Sequence, residues 1–253
     1  MSEPVLETEG LTKRFDGITA VDNVSISVPS GTLKAIIGPN GAGKTTFFNL
    51  LSGVYPPTDG KIWYKGEDIT RKRPDERSQK GLVRSFQLTQ IFPNLSTLEN
   101  IRLAAQSRGK SSTNYNMLKD ALSYSEYVEK SKELLKDFEL FDKANAPARD
   151  LSGADMRKLD VMMAIASEPE VLLLDEPTSG MAMEEIPEIL DIITSLSENR
   201  EDLTIVFIEH KVNVVMDIAD SIFVLANGKV IADGTPKEIQ EDEEVQKAYL
   251  GGT

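Results

Sequence analysis

The sequence predicts an α/β fold: a parallel sheet covered by helices, preceded by an antiparallel β portion and interrupted by a helical one. Three observations predict it. Short apolar runs with period-two patterning fill the first third, polar stretches with helical spacing occupy about 97–149, and beyond residue 160 continuous apolar runs alternate with helical segments. The chain has 253 residues, 40% of them hydrophobic, enough for one large domain or two small ones. A single domain over 1–253 is expected, with the inserted helical part at approximately 90–165.

The elements follow in order. "PVLETEGLTKRF", "GITAVDNVSISVPSG" and "GKIWYKGEDI" alternate between Gly, Asn and Pro punctuation, as antiparallel strands do, whereas "TLKAIIG" reads as a more deeply buried strand. "TTFFNLLSG" has helical spacing and ends at Gly53. "YVEKSKELLKDFEL" puts Val128, Leu134, Leu135 and Phe138 on one side of a helix, and the Ser- and Asn-rich "SRGKSSTNYN" before it reads as an exposed loop. Then come the strand "EVLLLDEP", an amphipathic segment over 184–199, the strand "LTIVFIEH", a further helix, and "SIFVLANGKVIADG" with a hairpin at Asn227-Gly228. No internal repeat at a period of 20 to 50 residues is present, which argues against a solenoid or propeller.

Composition excludes several chemistries. With no cysteine there are no disulfides, thiolate nucleophiles or cysteine-held metals, and one histidine rules out a histidine-rich metal site, so a metal would be held by oxygen. The 28 basic and 41 acidic side chains give a net charge of −13, which disfavours non-specific attraction to nucleic acid or anionic lipid. The N-terminus "MSEPVLETEG" lacks the basic and apolar regions of a secretory signal, and a soluble, cytoplasmic chain is expected.

The strongest chemical signal is "GPNGAGKTT" at 38–46, which fits G-x-x-x-x-G-K-[ST] through Gly38, Gly43, Lys44 and Thr45, between a buried strand and a helix. Glycines let backbone N–H groups turn around phosphate oxygens, and Asn40, Gly41, Ala42 and Thr46 complete the cradle. Lys44 brings positive charge to the β and γ phosphates, and Thr45 offers a hydroxyl to Mg²⁺. In "VLLLDEP" the carboxylates emerge at the end of a buried strand, where open α/β sheets place their sites: Asp175 for the Mg²⁺ shell, Glu176 for the attacking water. His210 ends a second buried strand in line with Glu176, suited to bonding the γ-phosphate and the water. Gln87 in "VRSFQ" has an amide that can reach the metal or the water.

In this order, "GPNGAGKTT", Gln87, "LSGADMRKLD", "VLLLDEP" and His210 resemble the Walker A, Q-loop, signature, Walker B and switch-histidine motifs of ABC transporter ATPase subunits. The resemblance covers almost the whole chain and implies a P-loop NTPase core that hydrolyses ATP with Mg²⁺. It sets Phe15 as the aromatic that stacks on adenine, and it has Ser152, Gly153, Ala154 and Asp155 face the nucleotide of a partner ATPase. "RSFQLTQIFPNLSTLENIRLAAQ", "IEHKVNVVMDIADSIFVLANGKVIADGTPKEI" and "AYLGG" are similar to the ATPases of branched-chain amino acid importers. Those systems imply a second ATPase subunit, expected to be a different chain, two transmembrane permease subunits and an external solute-binding protein met indirectly. They imply no nucleic acid, and a place on the inner face of the cell membrane. The alternatives are a soluble ABC ATPase of assembly or repair, and an ATP-binding subunit with a degenerate composite site and low turnover.

Two positions depart from the family pattern: Ala154 stands where glycine is usual and Ala182 where Asp or Asn is usual. A methyl at 154 is expected to hinder close approach of the backbone to the partner's γ-phosphate, and Asp155 to add negative charge beside it. Ser152 and Asp155 also fit a capping box, which gives the helix a sound start whether or not a nucleotide uses it.

Overall fold

Val24, Ile26 and Val28 alternating with serines build the later half of β2 (Ile18–Pro29), which pairs with β1 (Pro4–Phe15), the two joined by a tight turn in which Asp16 and Gly17 both have positive φ. With β4 (Asp59–Tyr64) and β5 (Glu67–Asp68) they form an antiparallel sheet in the order β2-β1-β4-β5. The computed structural model describes residues 4–85, 91–107 and 117–250. Gln87 and residues 108–116 of the expected exposed loop lie outside these, while Ser107, read as part of that loop, closes a helix.

The second sheet has the order β10-β9-β3-β8-β7-β6. Its members are β3 (Leu33–Ile37), β6 (Leu82–Arg84), β7 (Val171–Asp175), β8 (Thr204–Ile208), β9 (Ser221–Ala226) and β10 (Lys229–Gly234). All neighbours pair in parallel except β10, which returns antiparallel to β9 through Asn227 and Gly228, both at positive φ as a primed hairpin turn requires. Every residue of β3, β7 and β8 is buried, which is why these strands read as unbroken apolar runs.

Period-two alternation sends their side chains to two cores. Val171, Leu173, Val206 and Ile208 pack with the antiparallel sheet and with α1 (Lys44–Leu51). Leu172, Leu174, Ile205 and Phe207 pack on the other face beneath the helical layer. Burying such side chains contributes about 1.5–3 kcal/mol each.

That layer comprises α3 (Thr97–Ser107), α4 (Met117–Asp137) and α5 (Gly153–Ala166), with α3 packed on both others, followed by α6 (Ile186–Asn199) and α7 (Val212–Ile218). On α4 and just beyond it, Leu135 and Phe138 are buried, Leu134 packs at the edge, and Val128 is half-buried. The amphipathic segment read as 184–199 becomes helical at Ile186, with Pro187 in its first turn. Two short helices, α8 (Pro236–Glu241) and α9 (Glu243–Leu250), finish the chain. No described helix is long and apolar enough to cross a membrane.

One buried cation binds the layers. Arg77, on α2 (Pro74–Lys80), donates to the carbonyls of Leu50 and Leu51 at the C-terminal end of α1, and to those of Ile69, Thr70 and Lys72. Burial lowers its pKa to about 10, and the negative end of the α1 dipole favours the charge it keeps.

Candidate nucleotide site

The loop between β3 and α1 is shaped by glycine at two points. A Cβ at Gly38 would run into the Leu225 carbonyl oxygen, one at Gly43 into that of Ala20, and both residues have positive φ. The β9–β10 turn braces the loop: Gly228 N–H donates to Ala42 O at 3.0 Å and Asp22 N–H to Gly228 O at 2.8 Å. α1 starts from Gly43 without a side-chain cap and without an acidic residue in its first turn. Its leading N–H groups therefore lack intrahelical partners and face the loop with the positive end of the helix dipole.

Lys44 is buried, its ammonium held by the carbonyls of Gly38 at 2.6 Å and Pro39 at 3.0 Å. Burial lowers its pKa, and the charge of Glu176 works against that shift. Asn40, Gly41 and Thr45 are exposed and Thr46 half-buried, so the concave side of the loop is open to a ligand.

Asp175 and Glu176 leave the end of β7 beside the end of β8, which carries Glu209 and His210. Asp175 is 2% exposed; its Oδ2 pairs with Arg84, while Oδ1 is buried with no hydrogen-bond partner. An orphaned carboxylate oxygen next to a phosphate loop fits a hard cation completed by phosphate oxygens and a hydroxyl. Such a site does not need the cluster of three or more acidic or imidazole ligands that is absent among the described residues.

Glu176 is held at φ 50 with its N–H donating to Ile208 O at 3.0 Å, an unusual backbone for a non-glycine residue that aims the side chain at the neighbouring strand. Its Oε1 lies 2.8 Å from His210 Nε2. The structure thus brings Lys44, Thr45, Asp175, Glu176 and His210 to one end of three adjacent strands.

Sequence reading missed two residues here. Glu209 is buried; its Oε1 accepts from Thr178 N–H at 2.9 Å and Thr178 Oγ1 at 2.6 Å, and its Oε2 from His210 N–H at 3.1 Å. Arg84 joins Asp175 to Asn49 of α1 and to Ser52, which caps that helix. The available signal was a charged residue at the end of a buried apolar strand, in "GLVR" and "LTIVFIE".

Phe15 is 38% exposed, so its ring is not core. It meets Tyr55 edge-on at 5.4 Å between centroids, and the Lys13 ammonium lies 5.0 Å from it. Ala20, which crowds Gly43, follows on the next strand, so this aromatic pair stands at the flank of the phosphate loop.

The stretch around 152–155 differs from expectation. Ser152 caps α5 by accepting from Asp155 N–H at 3.1 Å. Ser152 and Gly153 are exposed, whereas Ala154 is 8% exposed, with its methyl packed into the chain, and Asp155 is buried. The expected hindrance at 154 therefore has little surface from which to act. The charge expected at 155 is paired with Lys143 at 2.6 Å. Burial raises the Asp155 pKa, but hydrogen bonds from Lys143 and Ser152 outweigh it and hold the carboxyl below its ordinary value. Ala182 is exposed, with its N–H bonded to Glu185 Oε2 at 2.9 Å.

Residues 21–179 match the family model described as ABC transporter, and 229–253 that described as branched-chain amino acid ATP-binding cassette transporter. The high-affinity branched-chain amino acid transport ATP-binding protein LivG of Salmonella typhimurium is 36% identical, and BraF of Pseudomonas aeruginosa 38% identical, each over 99% of both chains. Among solved structures, the ADP conformation of an ATP-binding cassette of an ABC transporter superposes with a TM-score of 0.84 at 30% identity, covering 99% of this chain and 100% of that one. Related from end to end to such proteins, and carrying their fold around a phosphate loop, this chain belongs to the ABC transporter family as an ATP-hydrolysing subunit.

Proposed function

We propose that this subunit powers uptake of branched-chain amino acids or related small solutes from the inner face of the cell membrane. It works beside a second, different ATPase chain and two permease subunits, and meets the external binding protein through them. The names of its full-length relatives support the solute class. Residues 1–253 act as one nucleotide-binding domain, with a helical part at about 90–165 turned to the permeases.

The observation that carries the chemistry is the 2.8 Å contact between Glu176 and His210, one strand away from the Lys44 loop. The loop amides and Lys44 bind the phosphates of ATP while Phe15 stacks on the base. Mg²⁺, when bound, offsets phosphate charge, and Asp175 Oδ1, Thr45 and Gln87 would hold it. Glu176 orients the attacking water and takes its proton; His210 fixes the Glu176 carboxylate and bonds the γ-phosphate. The water oxygen bonds to the γ-phosphorus as the bond to the β-phosphate bridging oxygen breaks, which yields ADP and phosphate. Across the pair, Ser152 and Gly153 present the start of α5 to the partner's nucleotide, with Ala154 and Asp155 behind them.

Uptake of labelled leucine by cells that carry the complete transporter tests this. Glu176→Gln is expected to abolish uptake and leave the subunit in the membrane fraction. Undiminished leucine uptake, or copurification with soluble partners alone, overturns the reading.

A second feature favours an unequal pair. Ala182 is exposed on the loop after Glu176 and has no side-chain hydrogen-bonding group to offer a partner. The nucleotide held by this chain is then turned over against a normal partner signature, and the opposite site is weaker. Separate Glu→Gln changes in the two chains of the reconstituted transporter are expected to differ in residual ATPase; equal losses count against asymmetry.

A further inference from the structure

Arg84 closes β6 with its side chain 13% exposed, and the two arms of its guanidinium do different things. One nitrogen, Nη2, binds Asp175 Oδ2. The other, Nη1, donates to Asn49 Oδ1 at 2.6 Å, on the helix that begins with Lys44 and Thr45, and to Ser52 Oγ at 3.2 Å, the residue that caps its C-terminal end. The face of the cation lies 5.8 Å from the Phe48 ring. Ser85 N–H continues the β6–β7 ladder by donating to Leu173 O at 2.9 Å, which fixes the root of the Arg84 side chain relative to β7.

The consequence is geometric. A buried carboxylate clamped at one oxygen cannot turn freely, and the clamp leaves Oδ1 unpartnered while Oδ2 is engaged. The same planar fork sets the spacing between Asp175 and α1, and hence between Asp175 and Thr45. We infer that Arg84 is a positioning residue for the divalent cation, holding Asp175 with one oxygen presented to the metal and tying that oxygen to the helix of the phosphate loop. This rests on the proposed role of Asp175 in holding Mg²⁺.

The two effects of the guanidinium have opposite signs. Its charge opposes a nearby dication, whereas its clamp prepays the orientation of the ligand. Oxygen ligands of hard cations depend on such outer partners, whose loss weakens metal binding about 10- to 100-fold. In a site where Asp175 is almost wholly buried, reorientation without Arg84 leaves its carboxylate bonded elsewhere, and positioning outweighs repulsion.

The test uses the full chain with AMP-PNP and titrated Mn²⁺, free Mn²⁺ being read by electron paramagnetic resonance. Arg84→Met is expected to weaken Mn²⁺ binding about 10-fold while metal-free AMP-PNP binding stays unchanged. Arg84→Lys, which keeps the charge but loses the fork, should remain weakened. Asn49→Ala, which leaves the ion pair in place and removes the shorter of the second arm's two bonds, should show a smaller loss in the same direction, and it decides the matter should Arg84→Met not fold. Unchanged or tighter Mn²⁺ binding in Arg84→Met, or unchanged binding in Asn49→Ala, overturns the inference. Asp175→Asn separates the two readings. Mn²⁺ binding that survives it overturns the metal role of Asp175 and the inference together, whereas loss there with no effect at Arg84 overturns the inference alone.

Discussion

Replacing Glu209 by Gln changes one atom at a buried position and is expected to slow catalysis without loosening ATP. In the native chain this carboxylate accepts three hydrogen bonds, two from Thr178 and one from the His210 N–H. Bonds to a charged group contribute about 1.5–3 kcal/mol each, and neutral ones roughly half as much. An amide oxygen can keep the two Thr178 bonds at reduced strength, but the amide NH₂ then faces the His210 N–H, donor against donor. About 4 kcal/mol of hydrogen bonding is lost; burying a neutral amide instead of a carboxylate returns part of it, leaving a destabilisation of about 2–3 kcal/mol. For a domain of this size that lowers Tm by about 4–12 °C.

The functional effect follows from what Glu209 joins. Thr178 lies two residues after Glu176, and His210 is the next residue in the chain, so one carboxylate fixes both members of the 2.8 Å Glu176–His210 pair. A shift of about 1 Å between reacting groups costs up to 100-fold in rate, so kcat should fall about 10- to 100-fold. The Lys44 loop makes none of these bonds, and KM for ATP should stay within about twofold of the native value. Steady-state ATPase of the assembled transporter, with a melting curve of the same variant, reads both numbers. A native kcat, or a raised KM with unchanged kcat, refutes the bracing role.

Three further outcomes are expected. Arg77→Met removes the guanidinium shared by five carbonyls, three of them in buried hydrogen bonds, and should cost about 4 kcal/mol in denaturant unfolding, whereas Arg73→Met on the exposed side of the same turn should leave stability unchanged. Lys143→Met removes the main partner that depresses the Asp155 pKa. Because a carboxyl with a lowered folded pKa stabilises above its unfolded pKa and loses that contribution as pH falls through the folded one, the variant should be weaker at pH 7, with the difference closing below the carboxylate range in melts across pH. Phe15→Ala should raise the Kd for ATP about 5- to 100-fold by fluorescence titration, and that for GTP similarly, since stacking on an aromatic ring is tolerant of the base.

Much of the architecture was legible because its causes are local. The runs in β3, β7 and β8 contain few polar interruptions, and a strand buried on both faces has to look like that. The phosphate loop was legible because a backbone that bends through Gly38 and Gly43 against other carbonyls tolerates no side chain there. Residues whose partners are far along the chain were not. Arg84 meets Asp175 across 91 positions, Glu209 meets Thr178 across 31, and Arg77 meets Leu50 across 27. Each reads in the sequence as one more charged residue, and only strand order and helix placement tell which charge is buried and against what.

The start of α5 shows how direction, as well as identity, decides a site. The sequence pattern put four residues before a partner nucleotide and weighed a methyl and a carboxylate as obstacles. In the fold the methyl of Ala154 turns inward, and the carboxylate is claimed by Lys143 from a neighbouring turn that comes within reach only after the helical segment has folded back. What remains outward is the Ser152 cap and Gly153. Gly153 has an ordinary helical backbone and open space where a Cβ would stand, so nothing inside this chain asks for glycine there. An alanine would fit and favour the helix by up to about 1 kcal/mol. In the proposed pairing with a second ATPase, the open space at Gly153 and the exposed start of α5 give the partner's nucleotide room to approach the helix backbone, a use that nothing inside this chain supplies.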